Sequence, residues 1–188
     1  MAFITDGAGT VVSFAEYTDL VQKDQRLFEA NEIQIPAESG FADVTEFMED
    51  ILEKSTDRIL TKIKASSWWQ AYIQYVGGTS NSLAGLPNVD PNKIKSRQQD
   101  FTDMAVFYAF SQYILPLIAD FSEEAVSSEV QKIQYYNNKF NDRFEEVIRL
   151  ADWYDYDGDG TVEDSEKVYS YSQNRRTRRR LNIVRVRK

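Results

Sequence analysis

One twelve-residue segment near the C-terminal end restricts the local fold more tightly than any other part of the chain. It reads DYDGDGTVEDSE and runs from Asp155 to Glu166. Oxygen-bearing residues stand at its positions 1, 3, 5, 7, 9 and 12, namely Asp155, Asp157, Asp159, Thr161, Glu163 and Glu166. Gly160 occupies position 6, where the chain must turn sharply. This is the spacing of an EF-hand loop, in which oxygen ligands surround a hard cation.

We therefore predict that the segment 155–166 binds one calcium ion. The three aspartates would ligate through their carboxylates and Thr161 through its backbone carbonyl. Glu163 would ligate directly or through a water molecule, and Glu166 would close the shell with both carboxylate oxygens. The alternative is an acidic, solvated turn, but carboxylates this close together repel one another strongly without a cation.

The surroundings of the loop favour a structural ion over a regulatory one. Sensor EF-hands occur in pairs and are flanked by two apolar helices. Here the preceding helix is expected to carry Val147, Leu150, Ala151 and Tyr154, and the loop to begin where that helix stops. The following segment, 167–174, soon loses its apolar spacing, and the sequence contains no second loop.

The charge of the chain is divided unevenly along its length. The last fourteen residues carry eight arginines and lysines and no acid, whereas the remainder has a net charge of −16. Three interpretations of this basic arm stay open: a solvated tail, a contact to nucleic acid, or a strand that joins the edge of a partner's sheet. Alternating apolar and basic residues favour the strand. The candidate partner-binding residues are Arg175, Arg176, Arg178, Arg179, Arg180, Leu181, Ile183, Val184, Arg185, Val186 and Arg187.

Apolar residues recur at steps of three and four over most of the chain, which predicts a mostly α fold. We expect a small bundle of about five helices, an EF-hand-like calcium loop and an extended C-terminal arm. Helix N-termini are expected at Ser13, Asp43, Ser66 or Ser67, Asp90 and Ser122. The expected organisation is an N-terminal extension 1–12, a helical bundle 13–154, the loop with a weak exiting helix 155–174, and the basic arm 175–188.

Two of these helices have informative patterns. The run Phe101–Ile118 is apolar nearly all round, which indicates a central position, and Pro116 should kink it or lie just past its end. The last long helix is expected to turn an apolar stripe inward. Its members are Val126, Val130, Ile133, Phe140, Phe144, Val147 and Ala151.

Composition argues against catalysis. The chain has no cysteine and no histidine, which excludes cysteine nucleophiles, thiolate or imidazole zinc sites and the usual general base. Phosphate-binding glycine loops and nucleophile elbows are also absent from the sequence. An aromatic group formed by Trp68, Trp69, Tyr72 and Tyr75 is either a ligand platform or, as we expect, core and subunit interface. We expect neither an enzyme nor a membrane protein.

Several segments together resemble the head-to-tail adaptor (neck) proteins of tailed bacteriophages. They are 24–32 (DQRLFEANE), 44–53 (VTEFMEDILE), 58–60 (RIL), 65–69 (ASSWW), 93–103 (KIKSRQQDFTD), 152–161 (DWYDYDGDGT) and the short C-terminal arm. The resemblance extends from about Asp24 to the end of the chain.

The resemblance implies a structural virion protein, made in the host bacterial cytoplasm, whose copies form a ring of about twelve below the portal. The C-terminal extension, here 175–188, would grip the portal protein, and the next neck or tail component would dock below. DNA would pass through the lumen without specific binding. A calcium loop is not a general feature of such adaptors.

Two other functions remain as alternatives. The first is a calcium-binding regulatory or scaffolding module outside any virion, against which the unpaired loop counts. The second is a nucleic-acid-binding accessory protein that acts through the arginines of the arm.

Overall fold

The computed structural model describes residues 3–29, 40–75, 85–119, 128–164 and 166, and most of them are helical. The elements are β1 (Ile4–Thr5), β2 (Val11–Ser13), α1 (Tyr17–Lys23), α2 (Gln25–Glu29), α3 (Val44–Lys64), α4 (Ser67–Tyr75), a 3-10 turn (Pro91–Lys93), α5 (Gln98–Ala109), a π turn (Phe110–Ile114), α6 (Leu115–Ile118) and α7 (Ser128–Leu150). The prediction of a mostly α fold is therefore confirmed.

The chain divides into two compact units. The first unit comprises Met1–Ile59 and Arg97–Glu145, and the second comprises Leu60–Ser96 and Glu146–Lys188. The segment 13–154, which the sequence suggested as one bundle, contributes to both units. The candidate metal loop belongs entirely to the second unit.

The N-terminal segment forms a hairpin that the sequence reading did not anticipate. Strands β1 and β2 pair antiparallel and together cover part of the predicted extension, 1–12, and Ser13. The Asp6 carboxylate closes the turn, because its Oδ1 accepts hydrogen bonds from the N–H groups of Ala8 (2.9 Å) and Thr10 (2.7 Å). Turn-forming residues between two β-branched segments are a hairpin signal that could have been recognised in the sequence.

Helix α1 begins later than its predicted cap. Ser13 lies in β2, and its hydroxyl donates to the carbonyl of Ala15 (2.8 Å), so it stabilises the bend between strand and helix. Glu16 is the N-cap instead, and its N–H donates to the carboxylate of Asp19 (2.9 Å). The prediction of a cap at Ser13 was wrong because the serine hydroxyl bonds locally to a non-helical segment.

Two other predicted caps are confirmed. The Asp43 carboxylate accepts the N–H of Glu46 (2.9 Å) at the start of α3. The Ser66 hydroxyl accepts the N–H of Trp69 (3.2 Å) at the start of α4. In both places a short oxygen-bearing side chain satisfies an N–H group that has no partner within the helix.

Phe14 joins the hairpin to the helices of the first unit and is buried in its core. The Phe14 N–H donates to the hydroxyl of Thr56 in α3 (3.1 Å), and the hydroxyl of Thr102 in α5 donates to the Phe14 carbonyl (2.7 Å). The Phe14 ring packs against Phe3 and Phe101, with centroid distances of 4.7 and 5.3 Å. The hydroxyls of two buried threonines thus provide hydrogen-bond partners for the N–H and the carbonyl of Phe14, which follows the end of β2.

The central apolar run is one helical stretch with a widened turn. It continues through Pro116 to Ile118, and the N–H of Leu115 bonds to the carbonyl of Phe110, five residues earlier. In an α-helix the proline ring would collide with the carbonyl four residues earlier, and the wider π turn changes the position of that carbonyl. By length and composition alone the stretch Gln98–Ile118 could cross a membrane, a test that buried core helices also pass, and 61% of its apolar window is buried.

Only part of the apolar stripe that was predicted for helix α7 is buried. Its predicted cap, Ser122, lies outside the described residues, as does Val126. Phe140, Val147 and the following Ala151 are buried, and Tyr136, which the predicted stripe omitted, is buried with them. The remaining predicted members, Val130, Ile133 and Phe144, are only half-buried.

The hydrogen bonds to Phe14 provide a test of the first unit. Thr102→Val keeps the side-chain shape but leaves the Phe14 carbonyl without its donor, so we expect the free energy of unfolding to fall by about 1–3 kcal/mol. Urea denaturation measures this change. Thr45→Val, at an exposed position of α3, is the control and should change stability by less than about 0.5 kcal/mol. Equal stability of the two variants would contradict the role given to Thr102.

Candidate metal centre

The acidic loop does not follow directly from a helix. Helix α7 ends at Leu150, and Ala151 has a left-handed backbone (φ 52°) that stops it. Residues 151–154 then lead to Asp155 in an irregular and extended path. The expectation that Tyr154 belongs to an entering helix was therefore wrong, because the chain leaves the helix in order to pair with another segment.

That other segment is 93–96. The N–H of Asp155 donates to the Lys93 carbonyl (2.8 Å), and the N–H of Lys95 donates to the Trp153 carbonyl (3.1 Å). An antiparallel bridge joins Ile94 to Tyr154 between them. The first ligand position of the loop is therefore attached by main-chain hydrogen bonds to a segment about sixty residues away in sequence.

This pairing also explains why the helix predicted to begin at Asp90 is limited to a single turn. The Asp90 carboxylate does cap a turn, since it accepts the N–H of Asn92 (2.9 Å), but the turn is a single 3-10 turn that ends at Lys93. The chain then runs extended along the loop, so Lys95 is not helical. Arg97 has a left-handed backbone (φ 59°) and precedes α5.

A layer of aromatic rings lies beneath the pairing. It joins α4 to the loop and consists of Trp68, Trp69, Tyr72, Trp153, Tyr154 and Tyr156. Trp68 packs on Trp153 with a centroid distance of 4.6 Å, and Tyr154 meets the ring of Trp69 edge-on at 5.3 Å. Trp68, Trp69 and Tyr72 are buried, which places them in the core of the second unit rather than on an open ligand platform. The side chain of Tyr75 lies outside the described set.

Three carboxylates of the loop converge. One oxygen from each of Asp155, Asp157 and Asp159 lies within 4.8 Å of the others. Asp155 is completely buried, whereas the other two are exposed. A set of carboxylate oxygens without nitrogen or sulfur suits a hard cation such as calcium.

Main-chain N–H groups hold these carboxylates in place. The two oxygens of Asp155 accept from the N–H groups of Gly158 (2.6 Å) and Gly160 (2.9 Å). The Asp159 carboxylate accepts from the N–H of Thr161 (2.8 Å), and Asp157 accepts from Asp159 (3.1 Å). The conformation of the loop is therefore stabilised by hydrogen bonds between its main-chain N–H groups and its own carboxylates.

Glu166 connects the two ends of the loop. Its Oε1 accepts from the N–H of Tyr156 (2.6 Å), and its Oε2 accepts from the N–H of Glu163 (2.9 Å). The Glu163 side chain itself is exposed. The carboxylate at position 12 therefore lies against the main chain of positions 2 and 9.

The charge state of Asp155 follows from competing effects. Burial alone would raise the pKa of this carboxyl. The N–H groups of Gly160 and Gly158 lower that pKa, and the nearby ammonium groups of Lys95 and Lys93 lower it further. The lowering effects outweigh burial, so the pKa lies below the ordinary value for aspartate. Asp155 is consequently a buried anion at neutral pH.

Lys93 is attached to the loop as well. Its Nζ donates to the carbonyl of Tyr156 and lies over the Tyr156 ring, 5.2 Å from the centroid. The segment 93–96 thus contributes both main-chain hydrogen bonds and positive charge to the acidic loop. Sequence reasoning missed this role, because no local pattern links residues 93–96 to residues 153–156.

Other predicted site residues are not described. The exiting helix expected at 167–174 and all the candidate partner-binding residues of the arm, 175–188, lie outside the described residues. The six predicted metal ligands are all described, and the structure brings the carboxylates of Asp155, Asp157 and Asp159 together, with Glu166 across the loop.

Comparison of the chain with protein-family models, with curated proteins and with solved structures found no match. The interpretation of the loop therefore depends on its own residues and geometry.

Gly160 provides a test of the loop conformation. It has φ +95°, and a Cβ there would meet no atom within 4 Å, so an alanine would suffer from backbone strain alone. We expect Gly160→Ala to lower the free energy of unfolding by about 1–3 kcal/mol in urea denaturation. Gly7→Ala also meets no atom within 4 Å and has no such φ, so it should be nearly neutral. A neutral Gly160→Ala would show that the loop does not adopt this turn.

Proposed function

We propose that the loop 155–166 binds one calcium ion and that this ion is structural. The convergence of the Asp155, Asp157 and Asp159 carboxylates within 4.8 Å carries the proposal. Three carboxylates this close together repel one another, and a bound cation would offset that repulsion. Thr161 would add its carbonyl, Glu163 would ligate directly or through water, and Glu166 would close the shell.

The attachments of the loop support a structural role for the ion. A regulatory site must move its flanking elements when the ion binds. Here the residues before the loop pair with 93–96 and pack their rings against α4, so the start of the loop belongs to the core. Calcium bound there would neutralise the carboxylates and fix the chain where it departs towards the arm.

Removal of the ligands tests this proposal. Calcium should raise the melting temperature of the wild-type chain, and Asp155→Ala combined with Glu166→Ala should abolish the increase while leaving most helicity intact. Calcium at a hundredfold excess over its dissociation constant stabilises by about 2.7 kcal/mol. Thermal melts followed by circular dichroism, with calcium and with chelator, measure the effect.

A matched control separates the metal site from net charge. Asp142→Ala combined with Glu145→Ala removes two exposed acids of α7 and should keep the full response to calcium. Identical melting of the wild-type chain in calcium and in chelator would refute the structural ion.

For the whole protein, we propose a structural virion component of a tailed phage, an adaptor ring between the portal and the neck or tail. The residues that resemble such adaptors support this proposal, and the mostly helical fold agrees with what they imply. The acidic body, with its net charge of −16 outside the arm, suits a ring through which DNA slides without sticking. The basic arm would hold the portal, and the calcium loop ends at Glu166, nine residues before the arm begins.

Co-sedimentation with the portal ring encoded beside this protein tests the adaptor role. The full chain should sediment with the portal, and a chain that ends at Asn174 should not. A full-length variant with Ile183, Val184 and Val186 replaced by serine keeps the charge of the arm but loses its apolar alternation. Loss of binding in that variant would favour a strand that joins the portal, whereas retention would favour charge alone.

Other outcomes would favour the alternatives. No binding by either form in the presence of calcium would favour a calcium-binding scaffolding or regulatory module outside the virion. DNA binding that falls log-linearly with salt, and that is lost when the arm is removed, would favour a nucleic-acid-binding accessory protein.

A further inference from the structure

The segment 93–96 pairs with the start of the acidic loop in a defined register. The bridge between Ile94 and Tyr154, with the main-chain hydrogen bonds on either side of it, sets Lys93 opposite Asp155. Residues directly opposite in an antiparallel pair have their Cβ atoms about 4.5–5.5 Å apart, and diagonal neighbours lie about 7–8 Å apart. The first ligand position therefore has one lysine opposite it and a second, Lys95, on the diagonal.

The side chain of Lys93 extends along the loop. Its Nζ donates to the carbonyl of Tyr156, the residue after Asp155, and lies 5.2 Å from the centroid of the Tyr156 ring. Lys93 is half-buried, whereas Lys95 is exposed, so water and salt screen the charge of Lys93 less. A positive charge is thus attached to the second position of the proposed calcium loop.

The ionisation of Asp155 agrees with this arrangement. Burial raises the pKa of its carboxyl, and the N–H groups of Gly160 and Gly158 lower it. The ammonium groups of Lys95 and Lys93 lower that pKa as well. The charges that favour the carboxylate anion disfavour a divalent cation at the same place, because like charges repel.

We infer that Lys93 and Lys95 are built-in counter-charges of the metal centre, which stabilise the loop when it holds no metal and reduce its affinity for calcium. The inference rests on the proposed calcium site and names two residues that set its affinity. At an effective dielectric constant of about 40 to 80, an ammonium group about 10 Å from a divalent ion changes the affinity by about 4- to 20-fold.

Removal of the two charges tests the inference. Lys93→Met combined with Lys95→Met keeps the unbranched side chains and removes only their ammonium groups. We expect isothermal titration calorimetry on the full chain, freed of metal beforehand, to show that the variant binds calcium about 4- to 20-fold more tightly than the wild type. Its melting temperature in chelator should be lower than that of the wild type, and the increase caused by calcium should be larger.

Two control variants separate charge from position. Lys93→Arg combined with Lys95→Arg keeps both charges and should restore the wild-type affinity. Lys54→Met combined with Lys139→Met removes two exposed lysines of α3 and α7, outside the loop and the segment 93–96. This second variant loses the same net charge and should bind calcium within about twofold of the wild type.

Salt distinguishes a charge effect from the loss of the hydrogen bond to Tyr156. The Debye length falls from about 10 Å at 0.1 M to about 3 Å at 1 M ionic strength. The ratio of the calcium affinities of the double-methionine variant and the wild type should therefore approach one in the more concentrated potassium chloride.

The possible failures can be told apart. If the double-methionine variant binds calcium no more tightly than the wild type, or melts no lower in chelator, the inference is overturned and the calcium site remains. Should Lys93→Met fail to fold, Lys95→Met alone decides, since Lys95 is exposed and its removal should still increase the affinity. Calcium binding by the double variant but not by the wild type supports the inference, whereas binding by neither overturns the proposed site and the inference together.

Discussion

The buried carboxylate of Asp155 is the constraint around which the described part of the second unit is organised. Its main chain is paired with Lys93, its two oxygens accept from Gly158 and Gly160, and lysines of the segment 93–96 lower its pKa. Charge in a protein interior is tolerated only where donors and opposite charges surround it. The aromatic layer packs the two residues before Asp155, Trp153 and Tyr154, against helix α4.

In the first unit, an irregular segment enters a helical core, and its main-chain groups need hydrogen-bond partners there. Phe14 follows the hairpin and has no regular partner for its main chain, so the hydroxyls of Thr56 and Thr102 take that place. Its ring fills the space between Phe3 and Phe101. Two threonines on neighbouring helices thus provide the hydrogen-bond partners for a buried main chain that follows a strand.

These features give the proposed function a physical basis. An adaptor must transmit a fixed geometry from its body to the segment that holds its partner. In the sequence, the eight residues 167–174 separate the acidic loop from the basic arm. The loop is attached to the core by main-chain pairing at Asp155 and by the rings of Trp153 and Tyr154. A calcium ion in the loop would join its two ends.

Features that depend on local spacing could be predicted from the sequence. Helical periodicity predicted α3 and the central run, short polar side chains predicted the caps at Asp43 and Ser66, and the regular acids predicted the carboxylate cluster. The pairing of Lys93–Ser96 with the start of the loop is visible only in the folded chain, because two extended segments so distant in sequence show no shared pattern. For the same reason the sequence misplaced Tyr154 in a helix.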